Sequence, residues 1–160
     1  MAPKLSIGFM IKLLPVIVNF LNRQNFVIVS SIDKDGFPHT SCKGMVDVSG
    51  GNGIYVFDSY KGNTYRNIKR NSYVSVTAVN EEEFKGYCIK GRARIISINK
   101  ASRALLKKWE DKLLNRISRR IVKHIKHSKH SLYHPEADMP GPEYIIYVKA
   151  EKVISLAPSR

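Results

Sequence analysis

Phe26-Val27-Ile28-Val29-Ser30-Ser31-Ile32, then Asp33-Lys34-Asp35-Gly36, then Phe37-Pro38-His39-Thr40-Ser41-Cys42-Lys43, is the stretch on which the fold turns. The first run is short and rich in β-branched side chains, so it reads as a buried strand. Asp-Gly ahead of the next run predicts a hairpin, because glycine accepts the positive φ of a tight turn. The second strand is expected from about Phe37 to Val48. Working outward, Ser49 to Gly53 is a second turn and Ile54 to Phe57 a third strand. Gly62 to Ile68 opens a short helix, with Asn63 or Thr64 able to cap it. Tyr73 to Val79 and Tyr87 to Ile98 are two more strands around a turn at Glu81 to Gly86, and Glu143 to Leu156 is the last, bending near Ala150. Six strands joined mostly by hairpins, with helices at the periphery, predict a mainly β, antiparallel six-stranded barrel. The helix–strand alternation of a parallel sheet is absent.

The 160 residues suit one domain covering 1–160, and 43% apolar with 25% charged residues suffices for a core. The net charge of +14 is uneven: Lys100 to Lys129 holds eleven Lys and Arg against Glu110 and Asp111, a net of +9, which leaves +5 elsewhere. A helix is predicted over about 100–128. Leu105, Trp109, Leu113, Ile117, Ile121 and Ile125 recur at spacing four, joined by Leu106, Leu114 and Val122, as one apolar stripe on a basic helix. The basic face suits plain solvation, nucleic acid, an anionic lipid surface or an acidic redox partner. No aromatic platform for bases interleaves it. His124, His127, His130 and His134 lack the spacing and neighbours of a metal site, so no metal is expected. Cys42 and Cys88 lie in strand-like runs and read as buried thiols in a reducing, cytoplasmic setting. Leu5 to Leu21 is broken by Lys12, Pro15 and Asn19, and is too short for the roughly 20 apolar residues of a membrane helix. It is expected instead to be a packed helix within 1–25, with Pro15 in its first turn.

Three places carry chemistry. Strand alternation puts His39, Ser41, Lys43, Met45 and Asp47 on one face and Thr40, Cys42, Gly44, Val46 and Val48 on the other. The polar face suits a ligand wall; the plainer reading is a solvent-facing side of the sheet. Asp58-Ser59-Tyr60-Lys61-Gly62-Asn63-Thr64 ends a strand and opens a helix, where unpaired N–H groups and the positive dipole end attract phosphate. Lys61 adds charge, Ser59, Asn63 and Thr64 add hydrogen-bonding groups, and Gly62 permits close approach; the same residues also suit an ordinary capped helix start. Lys90, Arg92 and Arg94 share a face of the fifth strand and repel one another unless an anion or acid faces them.

In order along the chain, Asp-x-Asp-Gly-Phe-Pro-His (Asp33 to His39), Gly-Asn-Thr-Tyr-Arg-Asn-Ile (Gly62 to Ile68) with Tyr73-Val74-Ser75-Val76, and Ile-Lys-Gly-Arg-Ala-Arg-Ile-Ile (Ile89 to Ile96) resemble the pyridoxamine-phosphate-oxidase-like FMN-binding split-barrel family. The resemblance implies a split barrel that binds FMN between the subunits of a homodimer, as a flavin-dependent oxidoreductase. It implies that Ser41, Cys42 and Lys43 line the ribityl and ring portions, and that Asp58, Ser59, Asn63 and Thr64 sit at or near the phosphate. Lys61 joins these on charge alone, and the partner subunit would add Lys90 or Arg92. Catalytic residues and substrate are not implied; His39 and Lys43 are the acid–base candidates. The chain departs from vitamin B6 oxidases in having Ser41 for an Arg, Gly62-Asn63-Thr64 for Ser-Arg-Lys, and no Arg-Leu-x-Pro ending, so that substrate is not implied. Alternatives are a non-catalytic binding module whose basic helix docks nucleic acid or another anionic partner, and a relative using deazaflavin or heme.

Overall fold

The structure, a computed structural model, describes residues 11–44, 46–49, 51–127 and 140–158. Within them the strands are β1 (Phe26–Ile32), β2 (Pro38–Gly44), β3 (Val46–Ser49), β4 (Gly53–Asp58), β5 (Tyr73–Asn80), β6 (Lys85–Ser97) and β7 (Tyr144–Ser155). The helices are α1 (Pro15–Arg23), α2 (Asn63–Arg70) and α3 (Arg103–His127), the last preceded by a single 3-10 turn at Ile98–Lys100. Every strand pairing is antiparallel, in the order β2-β1-β5-β6-β7-β4-β3.

That order closes the sheet. Gly44 ends β2 at one edge and Val46 begins β3 at the other. Two residues of chain span no more than about 7 Å, so the edges must curl round to meet. The expected second strand is therefore two, which makes seven strands among the described residues instead of six. The antiparallel, mainly β class stands.

The Asp-Gly turn is present: Gly36 has φ +88°, and Asp33 Oδ1 accepts from the N–H groups of Asp35 and Phe37. Gly91 is required for another reason. The β6–β7 register shifts between Lys90 and Gly91, opposite Ala150, and a Cβ on Gly91 would lie 2.0 Å from the Lys149 carbonyl oxygen. This irregularity is the expected bend near Ala150. Arg92 is answered by Glu151 at 2.6 Å, and Arg94 lies over the Tyr147 ring.

The core is filled by alternate residues of the strands, among them Val27, Val29, Ile54, Val56, Ile146 and Val148. Leu13, Ile17, Phe20 and Leu21 close it from the α1 side. Pro15 opens α1 as expected, and residues 1–10 of the expected 1–25 helix lie outside the described residues. No described helix is long and apolar enough to cross a membrane. Cys42 is exposed and Cys88 half-buried, so neither is the buried thiol expected.

Helix α3 departs most from its sequence pattern. Leu105, Leu106, Trp109, Leu113 and Ile117 are half-buried, whereas Leu114, Ile121 and Val122 are exposed. A helix advances about 100° per residue, so a row at spacing four drifts by roughly 40° per step and about 160° from Leu105 to Ile121. The arc turned inward is completed by Lys112, Arg116 and Arg120, all half-buried. Part of the basic face is thus directed at the barrel, not at solvent. His124 and His127 fall at the end of α3, while His130 and His134 lie outside the described residues, as does most of the 128–142 loop. Among the described residues no group of three metal-binding side chains is brought together.

Candidate functional site

The register of β1 and β2 decides which way the polar strand faces. Val27 opposes Lys43, Val29 opposes Ser41 and Ser31 opposes His39. Opposed residues share a face, and Val27, Val29 and Ser31 are buried. His39, Ser41 and Lys43 therefore face inward, and the solvent-facing reading is overturned. Pro38, Thr40 and Cys42 are exposed on the outer face. The alternation does not continue to Asp47. In β3 it is Val48, opposite Ile54, that joins the core, while Asp47 pairs with Lys108 of α3 at 3.3 Å. The face in register with the core changes between Gly44 and Val46, where the strand leaves one sheet edge for the other.

The two stretches singled out in the sequence meet. Ser41 Oγ and Thr64 Oγ1 share a hydrogen bond of 2.8 Å, which ties β2 to the first turn of α2. Lys43 Nζ lies 2.6 Å from Asp58 Oδ2, with 14% and 7% of the two side chains exposed. Tyr144 Oη donates to the same Asp58 oxygen at 2.6 Å, and Asp58 Oδ1 accepts from the Ser59 N–H. Burial, and then the bond to Asp58, push the Tyr144 phenol well above its ordinary pKa, so it remains a donor. Asp58 is a buried, neutralised anchor. A bare carboxylate there would repel a phosphate; this one is matched by Lys43.

The remaining expected residues are placed differently. Ser59 Oγ donates to the Pro140 carbonyl. Asn63 Oδ1 accepts from the Arg66 guanidinium, so Asn63 does not cap α2, whose N-cap residue is Gly62. Lys61 is exposed and pairs with Glu143 at 3.4 Å. Behind α2, Asn67 donates to Ser31 Oγ and accepts from Arg70, which fixes the helix against β1. The N–H groups of Asn63, Thr64 and Tyr65 belong to the first turn, which has no intrahelical carbonyl to offer them.

A cavity of about 600 Å³ opens where β2, the Asp58–Tyr60 turn and α3 come together. Phe57, Trp109, Leu113 and Ile117 supply its apolar walls, with the Phe57 and Trp109 rings 6.3 Å apart. Cys42, Lys43, Asp58 and Ser59 also line it, as do Arg116 and the Pro140–Pro142 segment. Four of the eight expected residues therefore border one cavity. Ser41 and Thr64 bond to each other beside it, and Lys61 and Asn63 are exposed at the helix start.

Over residues 13–157 the chain matches the family model described as pyridoxamine 5'-phosphate oxidase. The chain belongs to that family. No curated protein is significantly similar to it in sequence. Solved structures with the same fold include HupZ of Group A Streptococcus, at 15% identity and TM-score 0.62 over 92% of this chain and 97% of that one. An FMN-binding protein from Syntrophomonas wolfei is similar at 11% identity and TM-score 0.57, over 89% and 84% of the two chains. A Clostridium acetobutylicum protein related to general stress protein 26 is similar at 15% identity and TM-score 0.54, over 87% and 89%. Such neighbours establish the split barrel of this pyridoxamine 5'-phosphate oxidase family member.

Sequence reasoning missed Tyr144, Trp109 and Arg116 as site residues. Tyr144 becomes significant only through the register that sets it opposite Asp58. Trp109 was legible merely as one more apolar position. Arg116 had a usable signal: projected at about 100° per residue, it falls between Leu105 and Trp109 on the helix wheel.

Proposed function

We propose that this chain is a flavoprotein that binds FMN in the cavity under α3 and uses it as an oxidoreductase, as one subunit of a homodimer. The observation that carries the reading is the cavity itself: about 600 Å³, walled by Phe57, Trp109, Leu113 and Ile117, and bordered by the cations Lys43 and Arg116. A mostly apolar pocket with a few placed polar groups is what a flat aromatic cofactor requires. Membership of the pyridoxamine 5'-phosphate oxidase family, and the likeness to a protein described as FMN-binding, support the same choice.

In this reading the ring portion lies against the apolar walls, with Cys42 and Lys43 at the edge. The phosphate lies toward Ser59 and the first turn of α2, where Asn63 and Thr64 offer N–H groups and the helix dipole favours an anion. Lys43 is held in place by its ion pair with Asp58 and acts as a positioned charge. FMN would supply the hydride or electron chemistry. The protein would bind it, orient it and keep water from one face. A second copy would cover Phe26 on β1 and Tyr73 and Val79 on β5, large apolar side chains left exposed on neighbouring strands.

The test is the visible spectrum of the freshly purified chain. Flavin absorbance near the expected bands, with FMN as the released chromophore, supports the reading. Trp109→Ala should then lower flavin retention at least several-fold. A colourless protein that takes up no added flavin contradicts it.

A further inference from the structure

Helix α3 changes character partway along. Its first half, Arg103 to Asp111, mixes both signs of charge: Arg103, Lys107 and Lys108 stand with Glu110 and Asp111. Lys107 pairs with Asp111 at 3.4 Å and Lys108 with Asp47 at 3.3 Å. Arg103, Ala104, Lys107 and Asp111 are exposed there and make an ordinary solvated face. The second half, Lys112 to His127, holds six Lys and Arg and no Asp or Glu. Of these, Lys112, Arg116 and Arg120 are turned toward the barrel and have partners within the chain. They leave nothing to be answered from outside.

What faces outward in the second half is aliphatic. Leu114 is 61% exposed, Ile121 39% and Val122 50%. Projected at about 100° per residue, these three and the exposed Ser118 fall within an arc of about 100°. From Leu114 to Val122 the stripe is about 12 Å long. Arg119 and Lys123 lie beyond its Val122 edge, by about 60° and about 100°. Both are exposed, and neither makes an ion pair among the described residues.

A single exposed aliphatic side chain is common. Three in one stripe, bordered by exposed cations in an acid-free stretch, call for a surface that is apolar and anionic together. The boundary of an anionic bilayer is such a surface. There the stripe of a helix lying in the plane leaves water, and lipid headgroups attract the cations beside it. Arg119 and Lys123 can rest their stems along the apolar layer and keep their charged heads among the headgroups. Nucleic acid matches less well. It takes cations and aromatic platforms, and no Phe, Tyr or Trp occurs in this half of α3.

We propose that the outer side of α3 from Leu114 onward docks on an anionic lipid surface as a peripheral contact. No described helix is long and apolar enough to cross the membrane. The contact uses none of the residues assigned to the flavin cavity or to a second copy, and it does not depend on the flavin reading.

The experiment is flotation of the full chain with vesicles of phosphatidylglycerol and phosphatidylcholine in equal parts, against vesicles of phosphatidylcholine alone. At low salt the chain should float with the first and not with the second. At about 1 M salt, where charges are screened beyond roughly 3 Å, partition should fall at least tenfold. Arg119→Gln with Lys123→Gln should weaken partition at least tenfold, and Leu114→Ser with Ile121→Ser at least fivefold. All four positions are exposed, so both variants should keep the parent's thermal unfolding and flavin content. Lys34→Gln with Lys69→Gln removes the same charge at the other end of β2, where Arg70 bonds the Ile32 carbonyl, and should change partition less than threefold. Equal losses in the two charge-removing variants, the mark of diffuse attraction, overturn the proposal. So does unchanged partition of Leu114→Ser with Ile121→Ser, or failure of the parent to float with either vesicle. A smaller assembly for that serine variant in gel filtration assigns the stripe to a second copy and overturns it too.

Discussion

Lys43 and Asp58, fifteen residues apart in sequence, form an ion pair with 2.6 Å between Nζ and Oδ2, at the end of the barrel where β2 meets the turn into α2. Both side chains are largely out of water. Removing one partner of such a pair strands the other charge, a loss of roughly 3–5 kcal/mol. Asp58→Ala should therefore cost about 3 kcal/mol or more in urea unfolding. Lys43→Met with Asp58→Leu, which removes both charges, should recover much of that loss. Equal destabilisation by the single and double changes would mean that the pair is not coupled.

Tyr144 adds a pH dependence of definite sign. Its phenol is buried and donates to Asp58, and its pKa in the folded chain is raised. Below pH about 10 the phenol is protonated in both folded and unfolded chains, and its contribution is fully present. As pH rises past that value the unfolded chain ionises while the native chain holds its proton, so stability falls. Tyr144→Phe should cost roughly 1–3 kcal/mol at neutral pH, and the gap to the parent protein should narrow above pH about 10. A gap that widens with alkali contradicts the assignment.

Gly91 tests the bend in β7. A methyl group there meets the Lys149 carbonyl at 2.0 Å, and backbone cannot swing aside as a side chain can. Gly91→Ala should destabilise by about 3 kcal/mol, the upper part of the range for overpacking. Thermal unfolding followed by circular dichroism reads the effect directly.

Leu113 and Leu114 are neighbours on α3 that differ in burial, the second being 61% exposed. Leu113→Ala should cost about 1–2 kcal/mol, less than a fully buried leucine. Leu114→Ala should stay within roughly 0.5 kcal/mol. Similar losses at both would show that α3 sits in another rotation, and would remove the apolar wall of the cavity that Leu113 lines.

The barrel was legible because each of its signals is local. Asp35-Gly36 dictates a hairpin whatever surrounds it, and the alternation in Val27 to Val29 and Val74 to Ala78 needs only a covered face. The break between Gly44 and Val46 was not legible, since a strand that leaves one sheet edge for another has the same residue types as one that continues. The site divides in the same way. That β2 and the start of α2 would lie near each other was implied by a familiar order of motifs, whereas the hydrogen bond between Ser41 and Thr64 was not expected. That Asp58 would spend its oxygens on Lys43, Tyr144 and Ser59 depended on register between distant strands. The inward turn of Lys112 and Arg116 was present in the sequence, and was hidden by reading α3 at a spacing of four where the helix repeats every 3.6 residues or so.

The most direct measurement of the flavin claim is a paired titration of the colourless, flavin-stripped chain with FMN and with riboflavin, followed by quenching of flavin fluorescence. If the first turn of α2 receives the phosphate, FMN binds at least tenfold more tightly than riboflavin, a difference of about 1.4 kcal/mol. Equal affinity for the two, or no quenching by either, contradicts it.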